Sequence, residues 1–430
     1  MLQSPDPELL READRCVKCG LCLPECPTYR LTRDENESPR GRIALIEGLA
    51  RSQLDPRGRS TTHLDRCLAC RRCERVCPSQ VRYGGLIQRA YVDFAVRTPR
   101  PLDSMLADPR VLRLAGRMAR TLPAALSRPF AKLHRMQRVA RALGDGGIAP
   151  TPGEYTCRAT SPRGRVGLFL GCATAAYQGR ALGAAVTLLT HAGFDTVVAT
   201  GQRCCGALEL HAGNPAAAAR RADVNRIAFD AALDAVVSVA SGCGIHLDAY
   251  DPPLPARHFD ILRFLLERGG LTTHDFLPLR AAVLLHTPCS MENVYRGGDW
   301  APALLGLIDG LEVVALGERG QCCGAAGDHM LRYPQVACEL RQPLLETIGR
   351  TQSTLLLTTN VGCAMHLAEG LGDDRGKAES IPFTERVEAF QRDLVAQALQ
   401  DAGGNWAEAA RALGLDRSNL RRLGTRLGLL

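Results

Sequence analysis

Cys16, Cys19 and Cys22 are separated by two residues each, Cys26 follows after three more, and Pro27 closes the run. Cys67, Cys70, Cys73, Cys77 and Pro78 repeat the pattern later in the chain. Three thiolates at this spacing can converge from one loop on a cubane iron–sulfur cluster. The fourth cysteine, where the chain turns away, ligates the other cluster in two-cluster proteins. The spacing predicts one [4Fe-4S] cluster on Cys16, Cys19, Cys22 and Cys77, and a second on Cys67, Cys70, Cys73 and Cys26. Structural zinc sites also use C-x-x-C pairs, but they need four ligands each and leave no role for the extra cysteine or the trailing proline.

A second set of cysteines is duplicated. The first copy has Cys172, Cys204 and Cys205 followed by Gly206, then Cys243 and His246. The second has Cys289, Cys322 and Cys323 followed by Gly324, then Cys363 and His366. Four thiols and a histidine in each copy point to a further metal, cluster or thiol site. Buried cysteines used only for packing are the alternative. His246 and His366 stand open between ligand and helix-capping roles. Cys157 and Cys338 have no counterpart in the other copy and read as structural.

The elements between these residues explain how they could meet. VGLFLGC, DAVVSVASGC, AAVLLHTPC and TLLLTTNVGC are apolar, strand-like runs that each end at a cysteine, and FDTVVAT and LEVVALG precede the two Cys-Cys-Gly pairs. Helix-like stretches such as AYQGRALGAAVTLLTHAG lie between them, the pattern of parallel βαβ units. Every cysteine group then falls at the carboxyl edge of a sheet, where open α/β sheets bind ligands. The segment between the first two cysteine runs has helical periodicity (ESPRGRIALIEGLA).

The fold class expected is multidomain: an α-helical two-cluster domain over 1–95, a basic helical linker over 96–160, parallel α/β modules over 161–275 and 276–384, and a small all-α segment over 385–430. Eighteen cysteines in 430 residues favour metal or redox chemistry over a disulfide framework. With 46% apolar and 23% charged residues the composition is that of a globular chain. The polar first residues do not read as a secretory signal, and no apolar run is long enough for a membrane helix. A cytoplasmic chain is expected. The net charge of +8 and the arginine-rich stretch from Arg97 to Arg141 allow an acidic partner or a peripheral contact with the inner face of the cell membrane.

Two such cysteine runs followed by two Cys-Cys-Gly modules resemble the glycolate oxidase iron–sulfur subunit family over residues 1 to about 380, and Ser38-Pro39-Arg40-Gly41-Arg42 is similar to the connecting segment of helical ferredoxin domains. Related families serve glycerol-3-phosphate, lactate and heterodisulfide oxidoreduction. In the last, the module ends in C-x-x-C and binds a non-cubane cluster; here both copies end in C-x-x-H. The resemblance implies a subunit that passes electrons from a partner's FAD to quinone or another acceptor, with glycolate as substrate and D-lactate or glycerol-3-phosphate as alternatives. The chain has no G-x-G-x-x-G fingerprint for a flavin or nicotinamide of its own, which agrees with hydride chemistry on a partner flavoprotein. A module that itself reduces a disulfide or quinone is the second reading.

From about Glu385 the sequence reads as three short helices and resembles a Fis-type helix-turn-helix. Asp416 is the expected cap of its last helix, with Arg417, Ser418, Asn419, Arg421 and Arg422 as DNA-contact candidates. A redox-sensing DNA-binding regulator is the reading from a different functional class.

Overall fold

The structure, a computed structural model, describes residues 7–97, 107–121, 131–144, 146–157, 159, 161–351, 355–371, 395–396, 398–400, 402–413, 415–426 and 429. They fall into two compact units, Met1–Leu371 and Gly372–Leu430.

The first unit begins all-helical. Helices Pro7–Asp14, Pro27–Thr32, Pro39–Ala50, Arg59–Asp65, Arg72–Arg75 and Tyr83–Asp93 precede the first strand among the described residues. Prolines open three of them, a position where the missing N–H costs nothing. Ser38 caps the helix Pro39–Ala50 by accepting from the Gly41 N–H at 2.9 Å. Gly41 is needed for close approach: a Cβ there would stand 1.9 Å from the Glu35 carbonyl oxygen. Leu9, Ile43, Ile46, Leu64, Leu86, Ile87 and Tyr91 form the core beneath the cysteine loops.

Two sheets follow. In the first, β1 (Gly153–Tyr155), β2 (Arg165–Phe169), β3 (Asp195–Val198), β4 (Ala235–Ser238) and β5 (His258–Asp260) lie in the order β1-β3-β2-β4-β5. All pairs are parallel except β1 with β3. The second holds β6 (Ala281–His286), β7 (Leu311–Ala315) and β8 (Leu355–Thr358) in the order β7-β6-β8, all parallel. The six strands expected next to cysteines are β2, β3, β4, β6, β7 and β8. The two short edge strands β1 and β5 were not foreseen, and β1 carries the first sheet back to residue 153, inside the stretch read as linker.

Part of that arginine-rich stretch is folded onto the modules. Helix Pro109–Thr121 packs on the first copy, where Arg113 donates to the Ala175 carbonyl at 2.7 Å and Tyr177 to the Leu112 carbonyl at 3.1 Å. From helix Ala131–Ala142, Arg138 donates to the Glu369 carbonyl of the second copy at 3.1 Å and pairs with its carboxylate. Residues 98–106 and 122–130 lie outside the described set.

In the second unit, helices Trp406–Ala412 and Arg417–Arg426 close on a small core of Val395, Ala398, Ala409, Ala410 and Leu420. Asn405 and Asp416 cap them, Asp416 accepting from the Ser418 N–H at 2.8 Å. The boundary expected at 384/385 and the first tail helix up to residue 394 lie outside the described residues. Among the described residues no helix is long and apolar enough to cross a membrane.

Candidate metal centres

Both N-terminal cysteine loops turn by the same device. Lys18 and Gly20 in the first have positive φ, and so do Ala69 and Arg71 at the matching positions of the second. Left-handed residues coil the backbone so that successive thiols face one side. Cys16, Cys19, Cys22, Cys73 and Cys77 line one shallow, open cleft with Arg40, Ile43 and Tyr83. Cys77 is thus brought to the first run. Burial pushes the Cys22 thiol up to about 11, with Cys16 and Cys26 adding to it. Cys26 lies on the other side, buried, and faces the second run: burial raises the Cys70 and Cys73 thiols strongly, and the neighbouring Cys26 and Cys67 push them further. Thiols that repel one another's ionisation so strongly are a donor set suited to a cation-rich cluster, which relieves that repulsion.

In the modules each strand end hands its cysteine to a loop or helix start. Cys172 opens the helix Cys172–Tyr177 after β2, and Cys243 lies in Ser241–Asp248 after β4. Cys172 and Cys204 sulfurs stand 3.5 Å apart. Cys204 is drawn well below the usual thiol range because the Cys172 and Cys205 thiols donate to it, while Cys205 is raised by its bonds to Cys204 and Cys243. All four thiols of the first copy are therefore neighbours. In the second copy the stabilised thiolate is Cys323, held down by the Cys363 thiol, and Cys322 is raised by Cys289. Among the described residues no group of three or more His, Cys, Asp or Glu side chains is already closed around a metal point. The sets are adjacent thiols.

The two histidines differ. His246 meets Tyr250 edge-on at 5.5 Å between ring centroids and lies near Cys204; burial lowers it to about 4, leaving the ring neutral. His366 is fully buried and occupied by protein: its Nε2 lies 3.0 Å from the Ala337 carbonyl oxygen and its Nδ1 3.2 Å from Arg341. Cys157 donates its N–H to Asp195, and the Cys338 sulfur accepts from Arg341.

The copies face each other and the helical domain. Ser241 Oγ and Ser290 Oγ are 2.7 Å apart, and the Ser241 N–H donates to the Thr359 carbonyl at 3.1 Å. The second cysteine run is seated on the second copy. Asn293 donates to the Cys70 carbonyl at 2.9 Å, Arg75 pairs with Glu292 and Arg72 with Glu318, and Cys322 is among the groups raising Cys70. A buried cluster completes the junction: Asp65 binds Arg97 at 2.5 Å, Arg332 at 2.6 Å and the Tyr333 hydroxyl at 2.6 Å, while Arg97 donates to the His211 carbonyl. His211 and His329, six residues after each Cys-Cys pair's second cysteine, were missed in the sequence. They occupy matching repeat positions, and that signal could have found them. His329 is buried, and burial lowers it to about 4.

In the tail, Arg417, Ser418, Asn419, Arg421 and Arg422 are all exposed on the last helix, around the buried Leu420.

Crossed cysteine loops beside a duplicated thiol module define a two-cluster iron–sulfur electron-transfer protein. Residues 12–81 match the 4Fe-4S dicluster domain family, 166–248 and 283–368 the Cysteine-rich domain family, and 386–423 the Bacterial regulatory protein, Fis family. The glycolate oxidase iron-sulfur subunit of Escherichia coli (strain K12) is 31% identical over 376 residues, covering 82% of this chain and 89% of that one. The probable glycolate oxidase iron-sulfur subunit of Bacillus subtilis (strain 168) is 28% identical over 83% and 88%. The chain belongs to the glycolate oxidase iron–sulfur subunit family and carries [4Fe-4S] clusters. Its tail is 55% identical over 51 residues, 12% of this chain and 10% of the relative, to the nitric oxide reductase transcription regulator NorR2 of Cupriavidus necator. No solved structure matches.

Proposed function

We propose that this chain is the electron-carrying subunit of a flavin-dependent 2-hydroxyacid oxidase or dehydrogenase, with glycolate, oxidised to glyoxylate, as the substrate of the complex. Cys16, Cys19, Cys22 and Cys77 hold one [4Fe-4S] cluster, and Cys67, Cys70, Cys73 and Cys26 the other. These clusters supply one-electron carriers; the sequence carries no G-x-G-x-x-G fingerprint for a hydride-accepting cofactor, and we assign that step to FAD on a partner flavoprotein. The observation that carries the reading is the seating of the Cys70 loop against Cys322, which joins the helical domain to the second module as one route. The modules pass electrons on to a quinone or another acceptor, and their thiol quartets hold a further metal or cluster. Names of relatives support glycolate first; lactate utilization protein A of Bacillus velezensis, 24% identical over 47% of this chain, supports lactate second.

The purified chain, loaded with iron and sulfide, should not oxidise glycolate with an artificial dye as acceptor. Activity should appear when the flavoprotein is added. Turnover by the chain alone, with no bound flavin, contradicts the subunit reading.

A second reading concerns the tail alone: its exposed Arg417, Ser418, Asn419, Arg421 and Arg422 and its likeness to a segment of a transcription regulator support contact with DNA.

A further inference from the structure

Arg42 is 1% exposed, an unusual place for a guanidinium. Its Nη2 binds the Glu37 carboxylate at 2.6 Å, its Nε donates to the His63 carbonyl at 2.8 Å, and its Nη1 donates to Thr28 at 3.0 Å and lies 3.9 Å from the Cys26 sulfur. Its charge is kept in this buried place by the partners that surround it. With the guanidinium buried 3.9 Å from the Cys26 sulfur, its positive charge is poorly screened and stabilises negative charge on the second set of thiols. The Arg42–Glu37 pair is oriented with its positive end toward Cys26. Two further donors reach the same set: the Tyr83 hydroxyl at 3.6 Å from the Cys67 sulfur and the Ala69 N–H at 3.4 Å.

The first set is differently placed. Cys19 is exposed, and the cleft it lines is open. Arg40 stands near Cys22, but its side chain is 31% exposed and already engaged by Glu35 at 2.7 Å and the Lys18 carbonyl at 3.0 Å. Water screens what remains of its charge.

Adding an electron makes a thiolate-held cluster more negative, and buried cations and hydrogen bonds to the sulfurs favour that state. We propose that Arg42, with Tyr83, holds the site on Cys26, Cys67, Cys70 and Cys73 at a higher reduction potential than the site on Cys16, Cys19, Cys22 and Cys77. The buried site is then the electron sink of the pair. One electron passes per event, the open site being oxidised and the buried site reduced, with no bond made or broken. The two arginines of Ser38-Pro39-Arg40-Gly41-Arg42 divide the work: Arg40 fastens the first loop and Arg42 sets the second site's potential.

The inference rests on the ligand sets proposed above, and the test separates the two. In the full chain with both clusters loaded anaerobically, Cys19→Ser and Cys70→Ser should each remove a different electron paramagnetic resonance signal. If they do not, the ligand assignment fails. With signals assigned, a redox titration should place the buried site above the open one. Tyr83→Phe should lower the buried site's reduction equilibrium severalfold. Arg42→Gln with Glu37→Gln, which leaves no unpaired buried carboxylate, should lower it tenfold or more, about 59 mV for one electron. The open site's signal should not move. A wild-type buried site at or below the open one overturns the proposal, as does a Tyr83→Phe or double variant that shifts both signals together or neither.

Discussion

In the first copy of the cysteine module His246 rests edge-on against Tyr250 near Cys204, while in the second His366 is clamped between Arg341 and the Ala337 carbonyl. Both arise from the same C-x-x-H spacing. The clamp comes from the helix Pro334–Arg350, whose Arg341 also pairs with Glu369; the first copy's matching helix, Pro215–Ala228, instead sends Arg221 to Glu209. The copies differ again toward the helical domain. The second receives the Cys70 loop, and the first meets it through Arg97 and His211. A duplicated list of ligand-type residues therefore does not make a duplicated site. The residues around each list decide which side chain can turn toward the thiols.

The largest effect is expected at the junction both copies share. Asp65→Ala leaves the buried guanidinium of Arg97 without its carboxylate and Arg332 with Asp328 alone, a loss of about 3–5 kcal/mol in stability by denaturant unfolding of the loaded chain. A loss under about 1 kcal/mol, the size of an exposed pair, would mean the junction does not bind the parts together.

Substituting the thiol pairs sharpens the comparison next. Cys205→Ser and Cys323→Ser should each change metal content or redox spectra while both N-terminal cluster signals persist. Unchanged spectra and turnover in the double variant would return these cysteines to packing groups.

The histidines should then part company. His246→Ala should weaken the first site and His246→Cys should keep it. His366→Ala should leave metal content unchanged and cost about 1–3 kcal/mol, because Arg341 and the Ala337 carbonyl lose their buried partner. Equal loss of metal in both alanine variants would erase the distinction drawn between the copies.

The smallest effect concerns the tail. Removing residues 385–430 should leave iron content and cluster spectra of the remainder unchanged, since the cysteines and the core beneath them all lie in the first unit.

The strands that deliver cysteines were legible because each is a continuous apolar run that stops at its cysteine. Strands β1 and β5 were not, since three residues such as Gly153–Tyr155 or His258–Asp260 carry too little periodicity to separate from a loop. The two N-terminal cysteine loops could be read from spacing, because both runs repeat the same intervals and end in proline. Arg42, Asp65 and Arg97 could not, because a buried charge becomes recognisable only when partners far along the chain surround it. Arg332, for instance, reaches Asp65 across 267 positions. The arginine-rich stretch has the composition of a solvated linker, yet Arg113 and Arg138 spend their donors on backbone carbonyls of the two modules.

The most direct measurement of the account is anaerobic addition of glycolate to the loaded chain, alone and together with its flavoprotein, while both N-terminal cluster signals are followed by electron paramagnetic resonance. The account predicts that glycolate leaves the clusters of the isolated chain oxidised and reduces them once the flavoprotein is present, the Cys26–Cys67–Cys70–Cys73 signal first. Reduction by glycolate without the flavoprotein, or clusters that stay oxidised in its presence while its flavin is reduced, would contradict it.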